Sequence, residues 1–166
     1  ELVAGDIASF LRSAGYVHQL FVPMARHSAD GSFGIAILSR LPMAATEVLP
    51  YAVEGTGHDI FDSASMHSKL RTARFAVALP TFNVQGRSYT IGTTHCPWTP
   101  DASAAEFQRI ACDAMMKLLG RRELVLCGDF NAPRGGEIFR RLADKWHDNI
   151  PPGCVSTLDP RLHRAA

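Results

Sequence analysis

The chain has 166 residues, 46% of them hydrophobic and 20% charged, which suits one packed domain and excludes disorder as its main state. Seventeen Lys and Arg against 16 Asp and Glu leave a net charge of +1. There is no basic excess to grip a long polyanion by counterion release, although a local patch can hide in a balanced total.

The first element is a helix over 5–16, "GDIASFLRSAGY". Ile7, Phe10, Leu11 and Ala14 recur at helical spacing, Asp6 can cap the start and Gly15 can stop the helix. Short β-type runs follow at 16–23, 33–40 and 46–53, punctuated by Pro23, the "ADGS" turn at 29–32 and Pro42. The stretch 54–71 has weak periodicity and reads as a long loop, of the kind that tends to carry function.

A hairpin comes next. Phe75, Val77 and Leu79 alternate on one face, with Arg74 on the other; "NVQGRS" turns the chain and "YTIGTTHC" returns it. The strongest helix spans 99–120, with Thr99 as its cap and Pro100 at its first position. Its stripe is Phe107, Ile110, Ala111, Ala114, Met115, Leu118 and Leu119, so its methionines read as core filler. Gly120 closes it, and Arg121 and Arg122 suit the negative helix end.

"ELVLCGDF" at 123–130 lacks alternation and reads as a strand buried on both faces. A short helix then presents Ile138, Phe139 and Leu142. After Trp146 the chain is irregular. Strands of both patterns with helices between them imply sheets with helices outside, a mixed α/β (α+β) layered domain over 1–166.

The four cysteines, 96, 112, 127 and 154, contain no CxxC pair, which argues against a zinc cage. Cys112 on a helix's apolar side and Cys127 inside a strand read as small buried thiols, which fits a reducing, cytoplasmic compartment. No run has bilayer length and no signal peptide is visible. The chain starts at Glu1 without Met, which reads as a processed, trimmed or partial piece.

Two strand ends carry groups suited to chemistry. Asp129 emerges where the apolar run 124–127 leaves the core, and Gly128 lets the backbone turn closely. Asn131 falls on the same side if the strand continues, and it can donate a hydrogen bond where a carboxylate cannot. "PRGGE" then opens a helix whose free N–H groups favour an anion. The same stretch reads equally as a turn, since Asp, Asn, Pro and Gly bend and cap chains. "YTIGTTHC" ends in His95, which can donate to a phosphate oxygen or serve as an ordinary surface histidine. Trp98 beside it is a loop anchor or a platform for a base or a lipid. "GIAILSR", 34–40, places small Gly34 and Ala36 where a neighbour needs room and ends in Ser39 and Arg40.

"GIAILSRLP", "TTHCPW" and "LCGDFNAPRGGEIFRRL", in this order and spacing, resemble the endonuclease/exonuclease/phosphatase superfamily. The resemblance runs from about Gly15 to the C-terminus and implies a four-layer α/β/β/α sandwich with its site at one end of paired sheets. It implies hydrolysis of a phosphoester by an activated water with Mg²⁺ or Mn²⁺. In that reading Asp129 orients or deprotonates water and helps anchor metal, Asn131 donates to the phosphate and His95 contacts it. Glu1 falls where a second acidic metal ligand stands in the family, and it reads equally as an ordinary exposed Glu. Nucleic acid comes first among substrates on family frequency, ahead of phospholipids and inositol phosphates.

The resemblance also implies an opening strand with Asn and a closing strand with Asp and His that this chain does not show, so the sandwich reads as incomplete at both ends. His163 sits before that closing strand and is not a substitute for its His. The 166 residues alone are then expected to be weakly stable and nearly inactive. The alternative to an enzyme is a non-catalytic binding or structural domain, or an inactive fragment of one.

Overall fold

In a computed structural model that describes residues 4–29, 31–51, 55–62, 64–100, 103–154 and 157, four helices and six strands form two sheets. In chain order the elements are α1 (Ala4–Ser13), β1 (His18–Arg26), β2 (Ser32–Ser39), β3 (Ala45–Pro50) and α2 (Met66–Thr72). They continue with β4 (Ala76–Val84), β5 (Arg87–His95), α3 (Glu106–Leu119), β6 (Val125–Asp129) and α4 (Glu137–Ala143). Glu1, Asp159 and His163 lie outside the described residues, as do the side chains of Asp6 and Ile7.

β1 and β2 pair antiparallel as a two-stranded sheet, and Gly34 lies against Pro23 in its register. A Cβ at Gly34 would sit 2.1 Å from the Val22 carbonyl oxygen, so the small residue is required by close approach. Ala36 is exposed, and no such crowding explains it. The larger sheet runs β3-β4-β5-β6, antiparallel except for β5 and β6, which are parallel. Only Gln85 and Gly86 turn the β4–β5 hairpin, both at positive φ, and the outer parts of "NVQGRS" are strand. Such turns match the twist of the strands they join.

The two sheets face each other through β1 and β2 against β4 and β5, and α3 covers the outer face of the larger sheet. β4 is the centre of the core: Ala76, Val77, Ala78, Leu79 and Pro80 are all buried. The alternation expected there is absent because β4 has neighbours on both sides and packing on both faces. The continuous apolar run expected to be buried, at β6, instead forms the edge of its sheet. Val125 and Cys127 are exposed, and Leu126 is the partly buried member that packs on the core. Among the described residues β6 is hydrogen-bonded to β5 alone; separately, its Leu126 side packs on the core while Val125 and Cys127 are exposed.

Three further expectations are corrected. Within the presumed long loop, residues 66–72 form α2, whose cap Ser65 accepts a hydrogen bond from the Ser68 N–H. Two turns are too short to show a period, while Leu70 still packs on the core. The long helix begins at Glu106 rather than after Thr99, whose hydroxyl donates to the Ser103 carbonyl in the preceding turn. Its buried face is Gln108, Ala111, Cys112, Met115 and Leu119, while Ile110 is 55% exposed and Leu118 also faces out. Gln108 displaces an apolar residue from that face because its amide has work there. Its Nε2 donates to the Pro97 carbonyl, and its Oε1 accepts from the Ala105 N–H. In α1, Phe10 is exposed, and Leu11 and Ala14 are the half-buried members of the expected face.

Candidate active site

The parallel pairing of β5 and β6 decides what meets at their C-terminal ends. Thr93 lies beside Cys127, Thr94 beside Gly128 and His95 beside Asp129. Gly128 has φ +139, and a Cβ there would lie 2.0 Å from the Thr94 carbonyl oxygen. Any side chain would push the strand ends apart, so this glycine is what lets the two functional positions sit side by side. The Cys96 N–H donates to the Asp129 carbonyl at 2.8 Å and carries the pairing one step past β5.

The strand geometry does not continue to Asn131. The residue sits at φ +48, and its N–H donates to Asp129 Oδ1 at 3.0 Å. This is an Asx turn, so the bending role and the site role of "GDFN" coexist. Asn131 Nδ2 donates to the Cys96 carbonyl at 2.8 Å, which ties the loop to the end of β5 and commits one of the two amide N–H bonds. The other N–H has no partner among the described residues.

His95 Nε2 stands 3.9 Å from Asp129 Oδ2, with the side chains 40% and 65% exposed. That distance is too long for a hydrogen bond. It is the right base for a triangle in which one oxygen lies about 2.8 Å from each atom. Asp129 thus has one oxygen held by the turn and one facing His95 and solvent. His95, Asp129 and Asn131 are brought together at these strand ends. Ser39 and Arg40 are not: Ser39 pairs with His18 at the start of β1, away from the end where the Met24 carbonyl accepts from the Arg74 N–H, and the Arg40 guanidinium lies over the Tyr16 ring.

Beneath the site lies a pair that the sequence does not flag. The hydroxyls of Tyr51 and Thr94 are 2.7 Å apart and buried, and the Thr94 hydroxyl also donates to the Ala76 carbonyl at 3.0 Å. Thr94 has one proton and spends it on Ala76, so Tyr51 donates to Thr94. Burial drives the Tyr51 hydroxyl far above the ordinary phenol range, and it stays protonated. Burial likewise pushes the Cys96 thiol up to about 12, which makes it an inert packing group beside the site. A lone Tyr after "VLP" and a Thr inside "TTH" carry no spacing signal that would have found them.

The helix start after Pro133 holds no free anion site. The first residue of α4, Glu137, supplies its own carboxylate, and Arg109 donates to both its oxygens at 2.8 and 2.9 Å. Trp98 is exposed, and the Lys69 ammonium lies over its ring at 4.1 Å.

The family model described as Endonuclease/Exonuclease/phosphatase family matches residues 2–163. The chain belongs to the endonuclease/exonuclease/phosphatase family. Comparison with curated proteins finds no match. Among solved structures, the human Nocturnin catalytic domain with bound sulfate shares 17% identity at a TM-score of 0.56, over 81% of this chain and 49% of that one. Sphingomyelinase C from Streptomyces griseocarneus shares 19% at 0.53, over 87% of this chain and 53% of that one. ANGEL2, a 2',3'-cyclic phosphatase in complex with adenosine-2',3'-vanadate, shares 18% at 0.52, over 96% and 46%. At these identities the likeness is one of fold: two sheets with outer helices in a mixed α/β sandwich. The chain spans about half the length of these solved structures.

A divalent ion is implied by the family. Among the described residues no three His, Cys, Asp or Glu side chains form a ligand group, and Asp129 is the one acidic oxygen open at the strand ends. One exposed carboxylate oxygen is a hard ligand of the kind divalent ions take, and on its own it does not select among them. No helix among the described residues is long and apolar enough to cross a membrane.

Proposed function

We propose that residues 1–166 act as one domain in metal-dependent hydrolysis of a phosphoester bond, with Asp129, His95 and Asn131 as its catalytic and substrate-binding residues. The observation that carries this reading is the 3.9 Å gap between His95 Nε2 and Asp129 Oδ2, with the leftover Asn131 amide beside it. Asp129 is the metal anchor, with Glu1 as the second acidic ligand by family position.

A bound Mg²⁺ or Mn²⁺ supplies neutralisation of the charge that builds on phosphoryl oxygens. Asp129, through its open oxygen Oδ2, would hold the ion and orient the attacking water, whose proton passes to solvent as its oxygen bonds to phosphorus. The scissile P–O bond breaks, its electron pair leaves on the alkoxide oxygen, and that oxygen takes a proton from solvent to give the alcohol. His95 Nε2 and the free Asn131 N–H donate to non-bridging oxygens. They are placed before reaction by the strand pairing and by the Cys96 carbonyl.

Substrate class follows from assay. Two of the neighbours are a 2',3'-cyclic phosphatase and a sphingomyelinase. The screen therefore covers single-stranded DNA and RNA, cyclic nucleotides, sphingomyelin and inositol phosphates, with nucleic acid first. The expected result is hydrolysis that EDTA abolishes, that Mg²⁺ or Mn²⁺ restores and that falls at least about a hundredfold in Asp129→Ala. Hydrolysis unchanged by that substitution, or no hydrolysis of any substrate by a longer chain containing these residues, overturns the proposal.

A further inference from the structure

A balanced total charge conceals one local concentration of cations. At the C-terminal end of α3 an open depression of ≈ 540 Å³ is lined by Met116 and Trp146 together with Lys117, Arg121, Arg122 and Lys145. Two of these cations are committed. Arg122 is ion-paired with Glu47, and the Lys145 ammonium donates to the Met116 carbonyl and lies 5.1 Å from the centre of the Trp146 ring. Lys117 and Arg121 are exposed and have no partner among the described residues. The acids next in sequence, Glu123 and Asp144, pair with none of the four.

The ordinary reason for cations here is the negative end of the helix. That end is worth about half an elementary charge, and it fades within one turn. Lys145 already sits on one of its carbonyls, so two more unpaired cations exceed what the helix requires. Like charges around a hollow also repel, and a bound anion removes that cost.

The geometry points to a site for a soluble oligophosphate, an anion with two or more adjacent phosphate groups. The four cations line one depression of bounded volume, which favours a compact anion over a polymer. Met116 and Trp146 are half-buried, and Trp146 packs on the core, so neither projects as a membrane anchor would. The volume lies within the range of small-molecule sites. The site is separated from His95 and Asp129: from Gln108, tied to Pro97, to Lys117 at the hollow, α3 rises about 14 Å along its axis. It therefore stands or falls independently of the phosphoesterase reading.

Titration calorimetry with sodium tripolyphosphate in EDTA tests this without any catalysis. One tripolyphosphate per chain is expected, with affinity falling as NaCl rises and orthophosphate binding more weakly. Lys117→Glu with Arg121→Glu should weaken binding by at least about tenfold. His95→Ala with Asn131→Ala should leave it unchanged. If circular dichroism shows the charge reversals to be misfolded, Lys117→Gln with Arg121→Gln decides in their place. Absence of binding at millimolar tripolyphosphate overturns the proposal. So does affinity unchanged in the Lys117/Arg121 variants, or binding lost with His95 and Asn131.

Discussion

The buried hydroxyl pair under the site makes an asymmetric prediction. Tyr51→Phe removes a donor and leaves Thr94 with an unfilled lone pair, while Thr94 keeps its bond to the Ala76 carbonyl. A net loss of about 1 kcal/mol is expected, as for an ordinary hydrogen bond. Thr94→Val is worse. It strips the Ala76 carbonyl of this donor and strands the Tyr51 O–H, whose next acceptors are the His95 carbonyl and Cys96 Sγ, both at 3.5 Å. A buried donor without a partner costs about 1–3 kcal/mol, so the total is about 2–4 kcal/mol. In the double variant the stranded hydroxyl is gone, so it should cost about 1 kcal/mol less than the sum of the singles. Urea denaturation with unchanged m-values reads all three. The thermal midpoint should fall by about 3 °C for Tyr51→Phe and by two to four times that for Thr94→Val. If Tyr51→Phe proves the costlier change, or if the two effects simply add, the direction assigned to this hydrogen bond is wrong.

Gly128→Ala places a Cβ against the Thr94 carbonyl at a φ that L-residues avoid, and should destabilise by about 3 kcal/mol or more, seen as a large drop in midpoint. Iodoacetamide at mildly alkaline pH should label Cys127 well before Cys96 and Cys112, as peptide mass mapping would show, because only Cys127 of the three is exposed. Folding holds the Glu137 carboxyl below its ordinary range, chiefly through the hydrogen bonds from Arg109. A depressed folded pKa gives stability that is present above about pH 4.3, the unfolded value, and lost as pH falls through the folded one. Glu137→Gln should therefore flatten the acid limb of the stability curve; an unaltered limb contradicts the role given to this pair.

How legible the molecule was depends on which forces wrote each segment. The hairpin, the α3 region and the strand ending in "GDFN" were readable because turn chemistry and apolar spacing are local. The burial of the two apolar strands was read the wrong way round. Val77 and Leu79 alternate with small Ala76 and Ala78, and nothing local says that the small residues face a second sheet. Leu124 to Cys127 looks like a central strand, yet its pairing ends at the sheet edge. Gln108 was missed because a polar residue on an apolar face is a flaw until its partner, the Pro97 carbonyl, is seen. At the site, His95 and Asp129 were each visible as strand ends. Their adjacency is a matter of register, which one sequence does not state, and only the family motifs tied the two together.

In the proposed site Asp129 holds the ion at the ends of β5 and β6, with the His95 ring beside it. Titration with Mn²⁺, followed by relaxation broadening of NMR signals, tests it without reference to turnover. The His95 ring and the 129–131 amides should broaden first and together, and Asp129→Asn should abolish the effect. Broadening centred elsewhere, or surviving that substitution, would contradict the claim.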